Sequence, residues 1–177
     1  TCIAKDRRRL YYFASKQAFD IEGLGPQIVS KLIEHELVQN PAHFFELTRE
    51  ELLEIDGFKD KSSEKLIRSI GERKIIDLAR FFVSLSIRYV GEQTAYDLAQ
   101  FVGRLLWEEK KFHGERAEVS VVEIVRAIEE LSKEQLGEIE GVGEKVGGSM
   151  YTFFHSKPNR KLLGDLDRVG VKTIITS

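Results

Sequence analysis

The sequence predicts an all-α fold of four units, each a pair of helices joined by a tight glycine turn, grouped two and two. Three observations predict it: a five-residue phrase that returns four times, a small-then-large register after each phrase, and helical rather than alternating periodicity between them. The phrase is Ile21-Glu22-Gly23-Leu24-Gly25, Ile55-Asp56-Gly57-Phe58-Lys59, Ile87-Arg88-Tyr89-Val90-Gly91 and Ile139-Glu140-Gly141-Val142-Gly143. Recurrence on this scale marks a repeated supersecondary unit.

The helix before the first turn is expected over residues 8–18. Eight residues after each isoleucine stand Val29, Ser63, Ala95 and Gly147, and eleven after stand Leu32, Leu66, Leu98 and Met150. Three residues apart, both side chains share one helix face, so the small one admits a preceding helix and the large one fills the gap. Asn40-Pro41 ends the helix after the first turn and leads into a short connecting helix with Phe44 and Phe45. Thr48-Arg49-Glu50-Glu51 opens the next helix, over 48–54, with a capping box, and Ser132-Lys133-Glu134-Gln135 does the same for 132–138. A helix is expected over 75–86 before the third turn, another over 121–131, and a last one from Pro158 to Gly170. Residues 103–120, with Trp107, Glu108-Glu109-Lys110-Lys111 and His113-Gly114, lie outside the repeat as a surface elaboration or a mobile loop.

The isoleucine spacing divides the chain near residue 74. Residues 1–74 hold the turns at 21–25 and 55–59; residues 75–177 hold those at 87–91 and 139–143 and the insertion 103–120. The boundary is expected to be packed, because 75–82 is apolar without Gly or Pro. With 177 residues and an apolar fraction of 42%, the chain has enough core for two small domains. No apolar run spans a membrane and no signal-peptide core follows the charged start, which predicts a soluble, cytoplasmic protein with no membrane partner. The single cysteine, Cys2, makes no internal disulfide and suits a reducing compartment. A chain that begins at Thr1, with Met150 its only methionine, reads as a fragment or as a product of initiator removal.

A net charge of −2 excludes attachment to nucleic acid by a general basic surface. The turns offer another route. Glycine reaches positive φ without steric penalty. Turn amides together with the unsatisfied N–H groups at the next helix start make a concavity that suits phosphate. Four such concavities match a polyanion of regular spacing, which points to the backbone of duplex nucleic acid without sequence readout. The candidate contacts are Gly23, Leu24, Gly25, Gly57, Phe58, Lys59, Lys61, Arg88, Tyr89, Val90, Gly91, Gly141, Val142, Gly143 and Lys145. Any one of the glycines alone would more simply close a helix–helix turn, and the isoleucines with Leu24, Phe58, Val90 and Val142 suit core plugs. Glu92, Glu144 and Asp60 complement helix dipoles. His35, His43, His113 and His155 lack metal-ligand spacing, no phosphate-binding or dinucleotide fingerprint is present, and no catalytic residue is assigned.

In their order, these phrases resemble the helix-hairpin-helix region of bacterial NAD-dependent DNA ligases. Asp20 through Gly25 is similar to that family's first hairpin and Leu47-Thr48 through Gly57-Phe58 to its second. The run from Ile87 to Ala95 resembles the third, and Glu140-Gly141-Val142-Gly143 with Phe153-Phe154 and Asn159-Arg160 the fourth. The resemblance implies four helix-hairpin-helix motifs in two tandem pairs that hold nicked double-stranded DNA through its phosphates. It implies a noncatalytic, nucleoid-associated part of a replication and repair enzyme. Cys2 resembles the last of four zinc ligands, so residues 1–5 would be a zinc-finger remnant and no metal is expected on this chain. NAD, magnesium and zinc would belong to the parent ligase, whose neighbouring domains would be partners. Lys59 stands for a usual glycine in the second hairpin and Tyr89 for one in the third, which predicts wider middle turns and the strongest cradles at Gly23–Gly25 and Gly141–Gly143. The insertion 103–120 is longer than the family usually shows. Two alternatives remain: a protein-interaction scaffold on degenerate hairpins, and a DNA glycosylase, for which Asp165 is a poorly placed acid.

Overall fold

Side chains that take up the first orphan amides fix where several helices start. In the computed structural model, which describes residues 3–177 and side chains from Arg7, Thr48 Oγ1 accepts from the N–H of Glu51 while Glu51 Oε1 accepts from the N–H of Thr48. This reciprocal box opens α3 (Arg49–Leu53). Cys2, the expected zinc ligand, lies outside the described residues. The chain forms two units, the first ending at Lys74 and the second running Ile75–Ser177.

The first unit is α1 (Ile3–Ala14), α2 (Pro26–Glu34), a 3₁₀ turn at Pro41–Glu46, α3 and α4 (Asp60–Glu72). Asn40 caps the 3₁₀ turn through the N–H of Ala42, and Pro41 occupies its start, where a missing N–H costs nothing. That turn delivers Phe44 and Phe45 to an aromatic cluster: Phe13 stacks on Phe19 at 4.2 Å, and Phe45 meets both rings edge-on at 6.1 and 5.5 Å. Val29, Leu32, Ser63 and Leu66 are all buried where α2 and α4 pass their partners.

The second unit is β1 (Ile75–Asp77), α5 (Leu78–Ser84), α6 (Glu92–Lys110), β2 (Arg116–Ser120), α7 (Val121–Glu129), α8 (Lys133–Glu138), α9 (Gly143–His155), α10 (Lys157–Arg168) and β3 (Lys172–Thr176). The three strands form one sheet in the order β1-β3-β2, with β1 parallel to β3 and β2 antiparallel to it. The molecule is therefore mostly helical, and the all-α expectation is corrected. The sheet is too short to show in the sequence pattern. β1 spans three residues, β2 reads Arg-Ala-Glu-Val-Ser without a clean alternation, and only β3 carries β-branched residues with alternating burial.

Two expected boundaries also move. The helix expected over 75–86 starts at Leu78, because the Asp77 carboxylate accepts from the amides of Ala79 and Arg80 and so ends the strand before it. The segment 103–120 is neither an elaboration nor a mobile loop: α6 continues to Lys110, Lys111 takes the left-handed conformation that stops it, and β2 follows. Gly103 lies on this helix with Ile175 of β3 3.6 Å from where a Cβ would be, so the helix packs on the sheet. Trp107 meets Phe112 edge-on at 5.5 Å and secures the helix end. Farther on, α8 and α9 approach until a Cβ on Gly147 would stand 2.6 Å from the amide nitrogen of Gly137. The small position eight residues after Ile139 is thus set by backbone contact.

Candidate nucleic-acid interface

Each repeated phrase folds as a turn closed by the same hydrogen bond. The amides of Leu24, Phe58, Val90 and Val142 donate to the carbonyls of Ile21, Ile55, Ile87 and Ile139, at 3.1, 3.1, 3.0 and 3.0 Å. Ile21, Ile55, Ile87 and Ile139 are buried, as are Leu24 and Val142, while Phe58 and Val90 are half-buried. These side chains hold the turn from below and leave its backbone rim outward. Gly23, Gly57, Gly141 and Gly143 have φ between +80° and +96°, and Tyr89 adopts +69° at the corresponding place in the third turn. The expectation of wider middle turns is not met, since Tyr89 takes the glycine-like conformation and the closing bonds are equal in length.

The last residue of the turn shows where glycine is not required by the fold. Gly25, Lys59 and Gly91 each serve as the extended N-cap of the following helix, at φ −77°, −129° and −96°. Lysine at 59 demonstrates that a side chain fits this conformation. A Cβ at Gly25 or Gly91 would meet nothing within 4 Å. Neither φ nor packing demands glycine there; a bare backbone instead leaves room for an outside group to approach.

Capping divides the helices the same way. Side chains of Thr48, Asp77, Ser120 and Ser132 cap α3, α5, α7 and α8. The helices that follow the four turns, α2, α4, α6 and α9, have no side-chain cap on their N-termini. Their outward amides keep the positive end of the helix dipole available to an anion. One amide is committed internally: the N–H of Lys59 donates to Ser62 Oγ at 2.9 Å.

The fourth turn departs from the others. Its helix begins at Gly143, and Val142 at the N-cap is in the α region instead of extended. Asp97 of α6 also lodges its carboxylate where a Cβ on Gly141 would be, held by Gln93 Nε2 at 3.1 Å. The cradle at Gly141–Gly143 is consequently the one with an anion beside it, contrary to its expected rank with the first.

Within each unit the turns are tied in pairs. Lys31 Nζ of α2 donates to the Asp56 carbonyl at 3.2 Å and Ser69 Oγ of α4 to the Glu22 carbonyl at 2.8 Å. Ser149 Oγ of α9 donates to the Arg88 carbonyl at 2.6 Å. Between the first two turns lies a cleft of about 650 Å³ whose walls include Gly23, Gly57, Phe58, Lys31, Lys65 and Arg68, with Glu22, Asp56 and Glu72 among the acids. Lys31, Lys65 and Arg68 were not singled out from sequence. Lys31 and Lys65 share a signal that would have found them, because each stands ten residues after its unit's isoleucine. Lys59, Lys61, Arg88 and Lys145 are all exposed, and Arg88 and Lys145 both lie over the Tyr89 ring.

Other chemistry finds little footing. Among the described residues no three His, Cys, Asp or Glu side chains gather as metal ligands, and no helix is long and apolar enough to cross a membrane. Asp165 pairs with Lys161 at 3.1 Å and Arg168 at 3.9 Å, so its carboxylate is engaged on its own helix.

Residues 16–72, which contain the first two turns, match the family described as SAM-like helix-hairpin-helix tandem. Over 173 residues the chain is 35% identical to a DNA ligase of Desulforudis audaxviator (strain MP104C). That match takes in 98% of this chain and spans 23% of the relative's length.

Proposed function

We propose that this chain, which carries a helix-hairpin-helix tandem and is homologous to a segment of a DNA ligase, binds the phosphate backbone of nicked duplex DNA without reading its sequence. The observation that carries the reading is the pair Gly25 and Gly91: glycine where neither conformation nor packing asks for it, at the uncapped start of a helix. Phosphate oxygens approaching there would accept from turn amides, with Lys61, Arg88 and Lys145 adding charge at the rim. Each unit would act as a tandem pair of hairpins.

On this reading the chain is the noncatalytic DNA-holding part of a longer, cytoplasmic NAD-dependent ligase of replication and repair. Nucleotide transfer, with NAD and magnesium, and any zinc site involving Cys2 belong to neighbouring domains of that longer protein. The acidic composition does not oppose the proposal, because backbone amides add no formal charge.

Fluorescence anisotropy of the chain with a labelled nicked duplex at low salt tests it, using Gly25→Leu and Gly91→Leu. Both sites are open and lie at negative φ, so the variants should fold as the parent does while binding weakens by about tenfold or more, as expected when a charge-assisted contact is blocked. Log K should also fall with log salt by roughly 0.9 per neutralised phosphate. Folded variants that bind like the parent would sink the amide-cradle mechanism. A chain that ignores DNA but captures a protein partner would favour a scaffold.

A further inference from the structure

The third turn contains a residue that local conformation alone would not select. Tyr89 holds φ +69°, a region that disfavours bulky side chains, at the place where the other three turns have glycine. It is also 44% exposed, so core packing does not explain it. What surrounds the ring does. Arg88 Cζ lies 4.8 Å from its centroid and Lys145 Nζ 4.1 Å. Both distances are within cation–π range.

The two cations come from different turns of the same unit, Arg88 from the third and Lys145 from the first turn of α9. The ring contact is the only side-chain interaction either cation makes among the described residues; no carboxylate takes up their charge. Beneath them, the bond from Ser149 Oγ to the Arg88 carbonyl fixes the third turn against α9. A long Lys or Arg side chain left in solvent would lose much rotamer freedom on meeting a phosphate. A ring that already gathers both heads reduces that loss, and its negative face lets two like charges sit near one another.

We infer that Tyr89 is a positioning residue: its ring holds Arg88 and Lys145 together as a single anion site bridging the third and fourth turns, which takes a phosphodiester of the DNA backbone. The inference rests on the DNA-binding reading above and adds to it a side-chain device that the amide cradles do not supply. It also explains how the fourth turn, with Asp97 beside its backbone, contributes to binding. Its part is played by Lys145 rather than by its amides.

The test compares Tyr89→Gly with Tyr89→Phe. Glycine suits φ +69°, so Tyr89→Gly should melt at the parent's temperature or above, and any loss of binding cannot be laid to a damaged turn. Affinity for a nicked duplex should fall about tenfold, on the scale of cation–π positioning of two partly desolvated charges. The slope of log K against log salt should become shallower by roughly 0.9 for each cation that loses its phosphate. Tyr89→Phe keeps the ring face and should retain both affinity and slope. Without DNA, the Lys145 ε-methylene protons should show upfield ring-current shifts that persist in Tyr89→Phe and vanish in Tyr89→Gly. Tyr89→Gly that binds like the parent while the parent binds well, or Tyr89→Phe as weak as Tyr89→Gly, overturns this inference and leaves the amide cradles standing. A parent chain that does not bind the nicked duplex overturns both.

Discussion

Replacing Gly147 by alanine should destabilise the second unit, although alanine is the better helix former. A Cβ there would stand 2.6 Å from the amide nitrogen of Gly137, 2.7 Å from its Cα and 3.0 Å from the carbonyl carbon of Leu136. All three are backbone atoms, so no rotamer change relieves the clash. The gap must open by about 0.8 Å to reach ordinary van der Waals separation. Separating α8 from α9 also loosens Leu136, Met150 and Phe154, each fully buried. Overpacking of this kind costs about 1–3 kcal/mol, with backbone contacts at the upper end, against a propensity gain of up to ~1 kcal/mol. The net loss should be about 1–2 kcal/mol, which lowers the melting point of a unit this size by roughly 5–15 °C. Gly164→Ala in α10 is the matched control: its Cβ would meet nothing within 4 Å, so it should stabilise by ~0.5–1 kcal/mol. Trp107 is the chain's only tryptophan and lies in the same unit, so its fluorescence during urea unfolding reads both variants. Gly147→Ala as stable as the parent would refute the claim that backbone contact selects glycine at this register position.

Two further outcomes follow from polar groups away from the turns. Ser63 is fully buried and its hydroxyl has no hydrogen-bond partner, so Ser63→Ala should leave stability unchanged or raise it by about 1 kcal/mol; a loss of that size in urea unfolding would show that the hydroxyl is satisfied. Glu123 lies below the usual carboxylate range, chiefly because the backbone N–H of Ser120 donates to it, with the Ser120 hydroxyl and Lys110 adding to the effect against a desolvation that opposes it. Its folded form therefore prefers the ionised state more than its unfolded form does. The resulting stability is present above the unfolded pKa and is lost as pH falls through the depressed folded pKa. Glu123→Gln should flatten that acid limb of the stability profile, and an unchanged limb would assign it to other carboxylates.

What the sequence made legible is what local chemistry decides. The boxes at Thr48 and Ser132 need only a hydroxyl and an acid or amide three residues on, and both form as read. The small and large positions after each isoleucine describe real contacts, down to the Gly147 approach. The sheet was hidden because its pairing is nonlocal: β1 meets a strand nearly a hundred residues later, and Ile75-Ile76 preceding Leu78 looks like the start of an apolar helix. The site was legible as turns and not as side-chain surroundings. Lys31 reaching a carbonyl 25 residues away, Asp97 against Gly141 and the cations over Tyr89 are tertiary facts with no local spelling.

The four turns rank differently once conformation replaces spelling. By sequence, a glycine at both places argued for the first and fourth. At the fifth position, however, Lys59 occupies the same extended backbone as Gly25 and Gly91, which separates what the turn needs from what a ligand needs. The turn accepts a side chain there; the absence of one at Gly25 and Gly91 exposes amides that a Cβ would partly screen. Lys59 gives up that exposure, and its own N–H is already bound to Ser62, but it adds a charge at the rim. In the fourth turn Gly143 is required by φ +80°, so its presence says nothing about an approaching group, and Asp97 repels an anion from the same rim. Backbone recognition should therefore be strongest at the first and third turns, with the second and fourth contributing mainly through lysine, one pair of unlike contacts in each unit.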